Sequence, residues 1–228
     1  MRVLALNLKA YPESTGPAGQ RLLAAIQSIA PAFAQASVRL VVLPAVQDLA
    51  LAVRQFHDCP VEVFAQHADA VEPGPKTGWL PLESVKATGL TGVMLNHSEH
   101  RLKPRELSLA CKRAKVLGLQ TLLCAKDSPQ TARLAKQCKP TMVAMEPPEL
   151  IGGKMSVSTA RPAAVAGTVR AVRRVNKDTL ILVGAGVQNA ADVRKSLELG
   201  AQGVLLASAF VKSSNPTAFL HELLSAFG

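Results

Sequence analysis

Eight short apolar runs, at residues 3–6, 40–43, 61–65, 92–95, 119–124, 141–145, 180–183 and 203–206, recur along the chain, and a longer amphipathic stretch follows each one. The longer stretches fall at 19–36, 47–56, 82–87, 104–117, 129–137, 161–176, 190–199 and 216–227, with apolar residues at three- and four-residue spacing. That spacing predicts helices, and the short runs predict strands. The runs are β-branched or Leu-rich with no polar alternation, as expected when helices cover both faces of a parallel sheet. Eight β-then-α units predict a (β/α)₈ barrel of the α/β class. An open, doubly wound eight-stranded sheet is the alternative, because local pattern carries no information about closure.

Punctuation supports the division. Pro104 and Pro216 suit first-turn positions, Asn189 and Asn215 suit N-caps, and Gly118 and Gly200 suit helix ends. No linker or low-complexity tract interrupts residues 1–228, which are expected to form one domain. The third unit is irregular: its helix is short, and residues 67–80 form a long loop rich in Gly and Pro. Loops of that length in compact domains are usually functional or interfacial.

Composition narrows the partners. A formal charge of +10 favours anions, but Lys and Arg are scattered and aromatic residues are only 4%, too few for a base-stacking platform. A small anion is therefore expected rather than nucleic acid, with a basic surface serving solubility as the plainer reading. Cys59, Cys111, Cys124 and Cys138 lie far apart, with no C-x-x-C pair and no zinc-type spacing. They are expected to be reduced thiols in a cytoplasmic protein. No charged-then-apolar leader precedes the first run, and no run approaches the roughly 18 apolar residues of a membrane span.

In a barrel, side chains at the C-terminal ends of strands face the active site. Those ends hold Asn7-Leu8-Lys9, Gln66-His67, Asn96-His97-Ser98-Glu99, Glu146, Gly184-Ala185-Gly186 and Ala207-Ser208. Glu146 ends an apolar run, and Pro147-Pro148 cannot continue a ladder. Singly, each residue has an ordinary reading: Asn7 and Lys9 as a solvated strand end, His97 as a structural histidine, Glu146 as a surface carboxylate. Together, a lysine, a histidine and a partly desolvated carboxylate are the parts for abstracting a proton beside a carbonyl. The small residues after the seventh and eighth runs leave backbone N–H groups free for a phosphate. No Walker-type phosphate loop is present.

Four segments in this order, Asn7-Leu8-Lys9, Asn96-His97-Ser98-Glu99-His100-Arg101, Met145 to Gly152, and Leu206-Ala207-Ser208, resemble the triosephosphate isomerase family, in particular its shorter archaeal-type branch. The resemblance runs the length of the chain and includes Ala65-Gln66-His67 and Val183 to Val187. It implies a single-domain TIM barrel that interconverts dihydroxyacetone phosphate and D-glyceraldehyde 3-phosphate without a cofactor or metal, in glycolysis and gluconeogenesis. By similarity Glu146 would be the proton-transfer base and His97 the electrophile. Lys9 would supply positive charge, and Asn7 a further hydrogen bond. Ile151, Gly152 and Gly153 would belong to a phosphate-covering lid, with Gly186, Ala207 and Ser208 adding phosphate contacts. The resemblance also implies a homo-oligomer, dimer or tetramer, formed through the loop around Thr77.

Two departures from the family pattern stand out. Gly184-Ala185-Gly186 offers only backbone where longer relatives carry a serine hydroxyl, and Gly153 is followed by Lys154 where Thr-Gly is common. Two other readings remain open at this point: a barrel enzyme acting on another phosphorylated sugar, and a non-catalytic barrel that binds anions or nucleic acid.

Overall fold

The computed structural model describes residues 1–147, 150 and 156–228. Each apolar run becomes a strand: β1 (Arg2–Asn7), β2 (Val38–Leu43), β3 (Val61–Ala65), β4 (Gly92–Leu95), β5 (Gln120–Ala125), β6 (Met142–Met145), β7 (Leu180–Val183) and β8 (Gly203–Leu206). All neighbours pair in parallel, and β1 pairs with β8 as well as β2, so the sheet closes. Leu4 sits opposite Leu40 on one side and Val204 on the other. Closure rules out the open sheet.

Residues within a strand alternate between two apolar layers, as the pleat requires. Val3, Ala5, Val41, Phe64, Leu122 and Leu182 belong to the cluster that fills the barrel, whereas Leu4, Leu6, Leu40 and Val63 pack outward against the helices. The layers meet without slack at the β1–β8 seam. A Cβ on Gly203 would fall 1.9 Å from the Val3 carbonyl oxygen, so only glycine lets these strands pair.

The helices are α1 (Gly16–Gln35), α2 (Leu49–Gln55), α3 (Leu82–Ala87), α4 (Pro104–Val116), α5 (Ser128–Cys138), α6 (Val157–Ala160), α7 (Pro162–Val175), α8 (Ala190–Glu198), α9 (Ser208–Val211) and α10 (Pro216–Leu224). Asn189 caps α8 by accepting from the Asp192 N–H at 3.1 Å, and Asn215 caps α10 by accepting from Ala218 at 3.0 Å. Neither α6 nor α9 is anticipated by the sequence, since four residues make too little of a turn to show a period. Among the described residues, no helix is long and apolar enough to cross a membrane.

The two ends of the barrel differ in chemistry. At the strand starts, Arg39 of β2 grips both carboxylate oxygens of Glu62 of β3, each at 2.7 Å, and donates to Gln120 Oε1 of β5 at 2.6 Å. Gln120 in turn donates to Glu62 Oε2 at 2.6 Å. This closed network satisfies its own donors and acceptors and serves stability. The strand ends carry groups without such mutual satisfaction.

Candidate active site

Asn7 is the last residue of β1 and is buried. Its Oδ1 accepts the Lys9 N–H at 3.0 Å, and Lys9 adopts a left-handed φ of 54°. The two side chains therefore share the mouth through a tight turn, and buried Asn7 is no solvated strand end. Gln66 braces that turn by donating to the carbonyls of Lys9 at 3.0 Å and Leu43 at 2.9 Å. The Lys9 ammonium meets the Glu99 carboxylate at 2.5 Å.

His97 follows β4 and is buried. Its Nδ1 accepts the Glu99 backbone N–H at 3.3 Å. A ring nitrogen that accepts carries no proton, so the neutral ring holds its hydrogen on Nε2. That nitrogen lies 3.5 Å from Glu146 Oε1. Burial, followed by the nearby charges of Lys9 and Arg101, pulls the imidazole pKa down to about 4 against the raising effect of Glu99. His97 is a neutral hydrogen-bond donor at physiological pH.

Glu146 follows β6 directly, its N–H bonded to the Ala125 carbonyl at 2.7 Å, and is only 1% exposed. Burial pushes its pKa up to about 7, opposed by a hydrogen bond from the Cys124 thiol and by the charges of Arg101 and Lys9. Oε2 has no hydrogen-bond partner among the described residues. A carboxylate with a free lone pair, desolvated to near neutral pKa, is a competent base at pH 7. Gly184 gives it room: a Cβ there would lie 2.5 Å from Glu146 Cγ.

Gly186, Ala207 and Ser208 line the same cleft as Asn7, Lys9, His97 and Glu146. Ser208 opens α9, and the first turn of a helix leaves N–H groups unbonded within the helix. The structure thus brings together seven of the sequence-derived site residues. Ile151, Gly152 and Gly153, with Lys154, lie outside the described residues. No group of three or more His, Cys, Asp or Glu that could hold a metal occurs among the described residues.

The triosephosphate isomerase family model matches residues 2–225 of this sequence. The chain belongs to the triosephosphate isomerase family. Within it, the triosephosphate isomerase of Caldivirga maquilingensis is 42% identical over 221 residues, which covers 97% of this chain and 95% of the relative. The Thermoplasma volcanium enzyme is 41% identical over 224 residues, covering 98% and 100%. That of Methanocaldococcus jannaschii is 36% identical over 222 residues, covering 97% and 98%. The archaeal-type character of the family motifs agrees with these relatives.

Asn96, Glu99 and Arg101 stand in the segments that sequence reasoning picked out, but without a role there, and Cys124 was read only as a reduced thiol. Glu99 pairs with Lys9 through its carboxylate and fixes the His97 tautomer through its backbone. Arg101 donates to the Asn96 carbonyl at 2.6 Å, while Asn96 donates to the Cys124 carbonyl at 2.8 Å, tying the β4 and β5 ends together. Cys124 lies beneath Glu146 near the end of β5. The strand-end rule applied to the fifth run would have drawn attention to it. Glu99 carried a weaker signal, since an exposed acid beside a histidine is common.

Proposed function

We propose that this chain interconverts dihydroxyacetone phosphate and D-glyceraldehyde 3-phosphate through an enediolate, with Glu146 as the base. The observation that carries the reading is the Nε2–H of a neutral His97 lying 3.5 Å from a buried, largely unbonded Glu146 carboxylate. The names of the archaeal relatives supply the substrate.

Glu146 removes a proton from the hydroxymethyl carbon of dihydroxyacetone phosphate. The electron pair forms the carbon–carbon double bond and the carbonyl oxygen becomes an oxyanion. His97 Nε2–H donates to that oxygen and Lys9 supplies positive charge, both placed before the charge develops. Glu146 then returns its proton to the adjacent carbon, while His97 passes its Nε2 proton to the oxyanion and takes the terminal hydroxyl proton in its place, giving the aldehyde with the ring neutral again. Asn7 holds the Lys9 turn, and Gly186, Ala207 and Ser208 receive the phosphate. Ile151, Gly152 and Gly153 are proposed to cover it and exclude water.

A coupled glyceraldehyde 3-phosphate assay tests the reading. Wild type is expected to turn over, and Glu146→Gln is expected to lose about 10²–10⁴ in kcat. Full activity in the variant overturns the base, and an inactive wild type overturns the enzyme.

The assembly follows the same reading. The loop around Thr77 is exposed, and Trp79 and Val46 beside it are 54% and 63% exposed. They flank a cleft of about 480 Å³ that also involves His67, Leu80 and His100. Exposed apolar side chains around a cleft suit an interface, and a homo-oligomer formed through this loop is the proposal. A monomer in light scattering at micromolar concentration overturns it. We propose a cytoplasmic location, a reading that the four free thiols support.

A further inference from the structure

The whole formal charge of +10 belongs to one part of the fold. Residues 103–178 carry 15 Lys or Arg against 5 Asp or Glu, and the rest of the chain balances, with 11 of each. That part supplies three neighbouring helices of the barrel wall. α4 and α5 share a groove of about 1030 Å³, which Arg105, Lys112 and Arg133 line. α7 is tied to α5 through Asn176, whose side-chain amide donates to the Ala135 carbonyl at 3.1 Å.

The cations of these helices divide by role. Arg113 turns to Glu83, and Arg173 donates to the Thr179 carbonyl at 2.9 Å, so both serve the packing. Arg105 and Lys112 on α4, Arg133 and Lys136 on α5, and Arg170 and Arg174 on α7 are exposed instead. Intervals of seven, three and four residues keep each pair on one side of its helix. Each helix contributes only a pair, which is why no block of cations shows in linear order. None of these six side chains has an ion pair or hydrogen bond among the described residues. Glu106 is the one acid of α4, and α5 and α7 contain none. By contrast, α8 holds Asp192 and Glu198 beside Arg194 and Lys195.

We propose that the face formed by α4, α5 and α7 binds the backbone of double-helical RNA, as an activity separate from the isomerase reaction. Like charges held together without counter-charges repel, and a row of phosphates relieves that repulsion while releasing the nucleic acid's own counterions. The low aromatic content excludes stacking on unpaired bases, but phosphate contacts need no aromatic side chain. The form of the duplex follows from the wall. Reading the B-form major groove takes an inserted helix or ribbon, whereas α4, α5 and α7 each bury a stripe against the barrel. A-form RNA displays phosphates and 2′-hydroxyls across a wide, shallow minor groove that is contacted without insertion. Three helices at the usual interaxial spacing give a wall about 20 Å wide. Gln137, in the groove beside Arg133, carries an amide able to donate to and accept from a 2′-hydroxyl. The groove and the catalytic cleft share no lining residue, so RNA and substrate occupy different places.

The test is fluorescence anisotropy of a labelled RNA duplex of about 20 base pairs, long enough to span successive minor grooves, titrated with the full chain. Wild type is expected to bind with a Kd of about 1–100 µM at physiological salt, and six phosphate contacts should weaken binding about 10³-fold between about 50 and 200 mM salt. The triple variant Arg105→Glu, Lys112→Glu, Arg133→Glu should lose about 30-fold or more in affinity and roughly halve the salt slope. Arg54→Glu, Arg194→Glu, Lys195→Glu makes the same change in net charge from outside the face. It should stay within about threefold of wild type at about 0.1 M salt, where charges beyond about 10 Å are screened. Both triples should keep isomerase turnover. If the first fails to fold, Gln at the same three positions removes the contacts without adding acids and should weaken binding about tenfold. Equal losses from the two triples, DNA of the same sequence bound as tightly as RNA, displacement of RNA by polyglutamate at equal charge, or no binding at about 50 mM salt overturns the proposal.

Discussion

The Glu99 backbone N–H points at His97 Nδ1 from 3.3 Å, and that single contact decides which face of the imidazole carries a proton. With the hydrogen forced onto Nε2, the ring presents a donor to the cleft, on the side where Glu146 Oε1 lies 3.5 Å away. Because the contact comes from the main chain, side-chain replacement at position 99 leaves it in place.

Glu99→Gln separates that backbone contact from the carboxylate. Glu99 raises the pKa values of both Glu146 and His97, so the variant's acidic limb of kcat/KM should move to lower pH. The Lys9–Glu99 pair is half exposed on the acid's side and worth less than about 1 kcal/mol, so activity at pH 8 should stay within about fivefold of wild type. A pH–rate profile of the variant checks both. An unmoved limb would remove Glu99 from the electrostatics of the base.

For the wild type, kcat/KM should fall below pH about 7, where Glu146 takes up a proton and ceases to act as a base. His97 stays neutral down to about pH 4 and should add no inflection between pH 5 and 8. Two inflections in that range would show that the imidazole titrates there.

Stability should respond to pH with two opposed slopes. The Glu146 pKa is raised from 4.5 to about 7, so the folded state binds more protons than the unfolded chain between those values and loses stability as pH rises. The penalty levels off above pH 7, on the order of 3 kcal/mol. The His97 pKa is lowered from 6.5 to about 4, so its contribution is present above pH 6.5 and lost as pH falls toward 4. From pH 4.5 to 6.5 the two nearly cancel. Glu146→Gln removes one, and its stability relative to wild type should grow between pH 4.5 and 7 in urea unfolding. A difference independent of pH would contradict the buried charge.

Gly184→Ala should harm catalysis more than folding. Its Cβ would press on the Glu146 side chain, from 2.5 Å at Cγ, 3.0 Å at Oε1 and 3.1 Å at Cδ, and on no backbone atom that close. Overpacking of that kind costs about 1–3 kcal/mol, while a carboxylate displaced by about 1 Å loses roughly 10²-fold in rate. Gly203→Ala instead meets backbone at 1.9 Å and should prevent soluble expression. Thermal melts beside kcat values distinguish the two.

The barrel was legible because its strands are buried on both faces, and β3, β4, β7 and β8 coincide with their apolar runs to the residue. Helix ends were less so: α1 begins at Gly16, ahead of the periodic stretch from residue 19, and α10 ends at Leu224 although apolar residues continue to 227. Strand-end position was enough to gather Asn7, Lys9, His97 and Glu146, since in a closed parallel barrel all such ends meet. What linear order conceals is contact across elements. The tautomer set by Glu99 and the thiol under Glu146 each depend on neighbours that no local spacing reveals.

The seam between β1 and β8 also sets a timetable for folding. Leu4 finds Leu40 early in a growing chain, but its other partner, Val204, belongs to the last strand of the barrel and follows far later in the sequence. Until that distant partner arrives, one side of β1 is an unpaired edge, and such long-range pairing is slow to form. Asn7 and Lys9 stand at the end of this first strand. The earliest part of the site to be synthesised is thus held by the last strand to be delivered, and catalytic competence marks the completion of the whole ring.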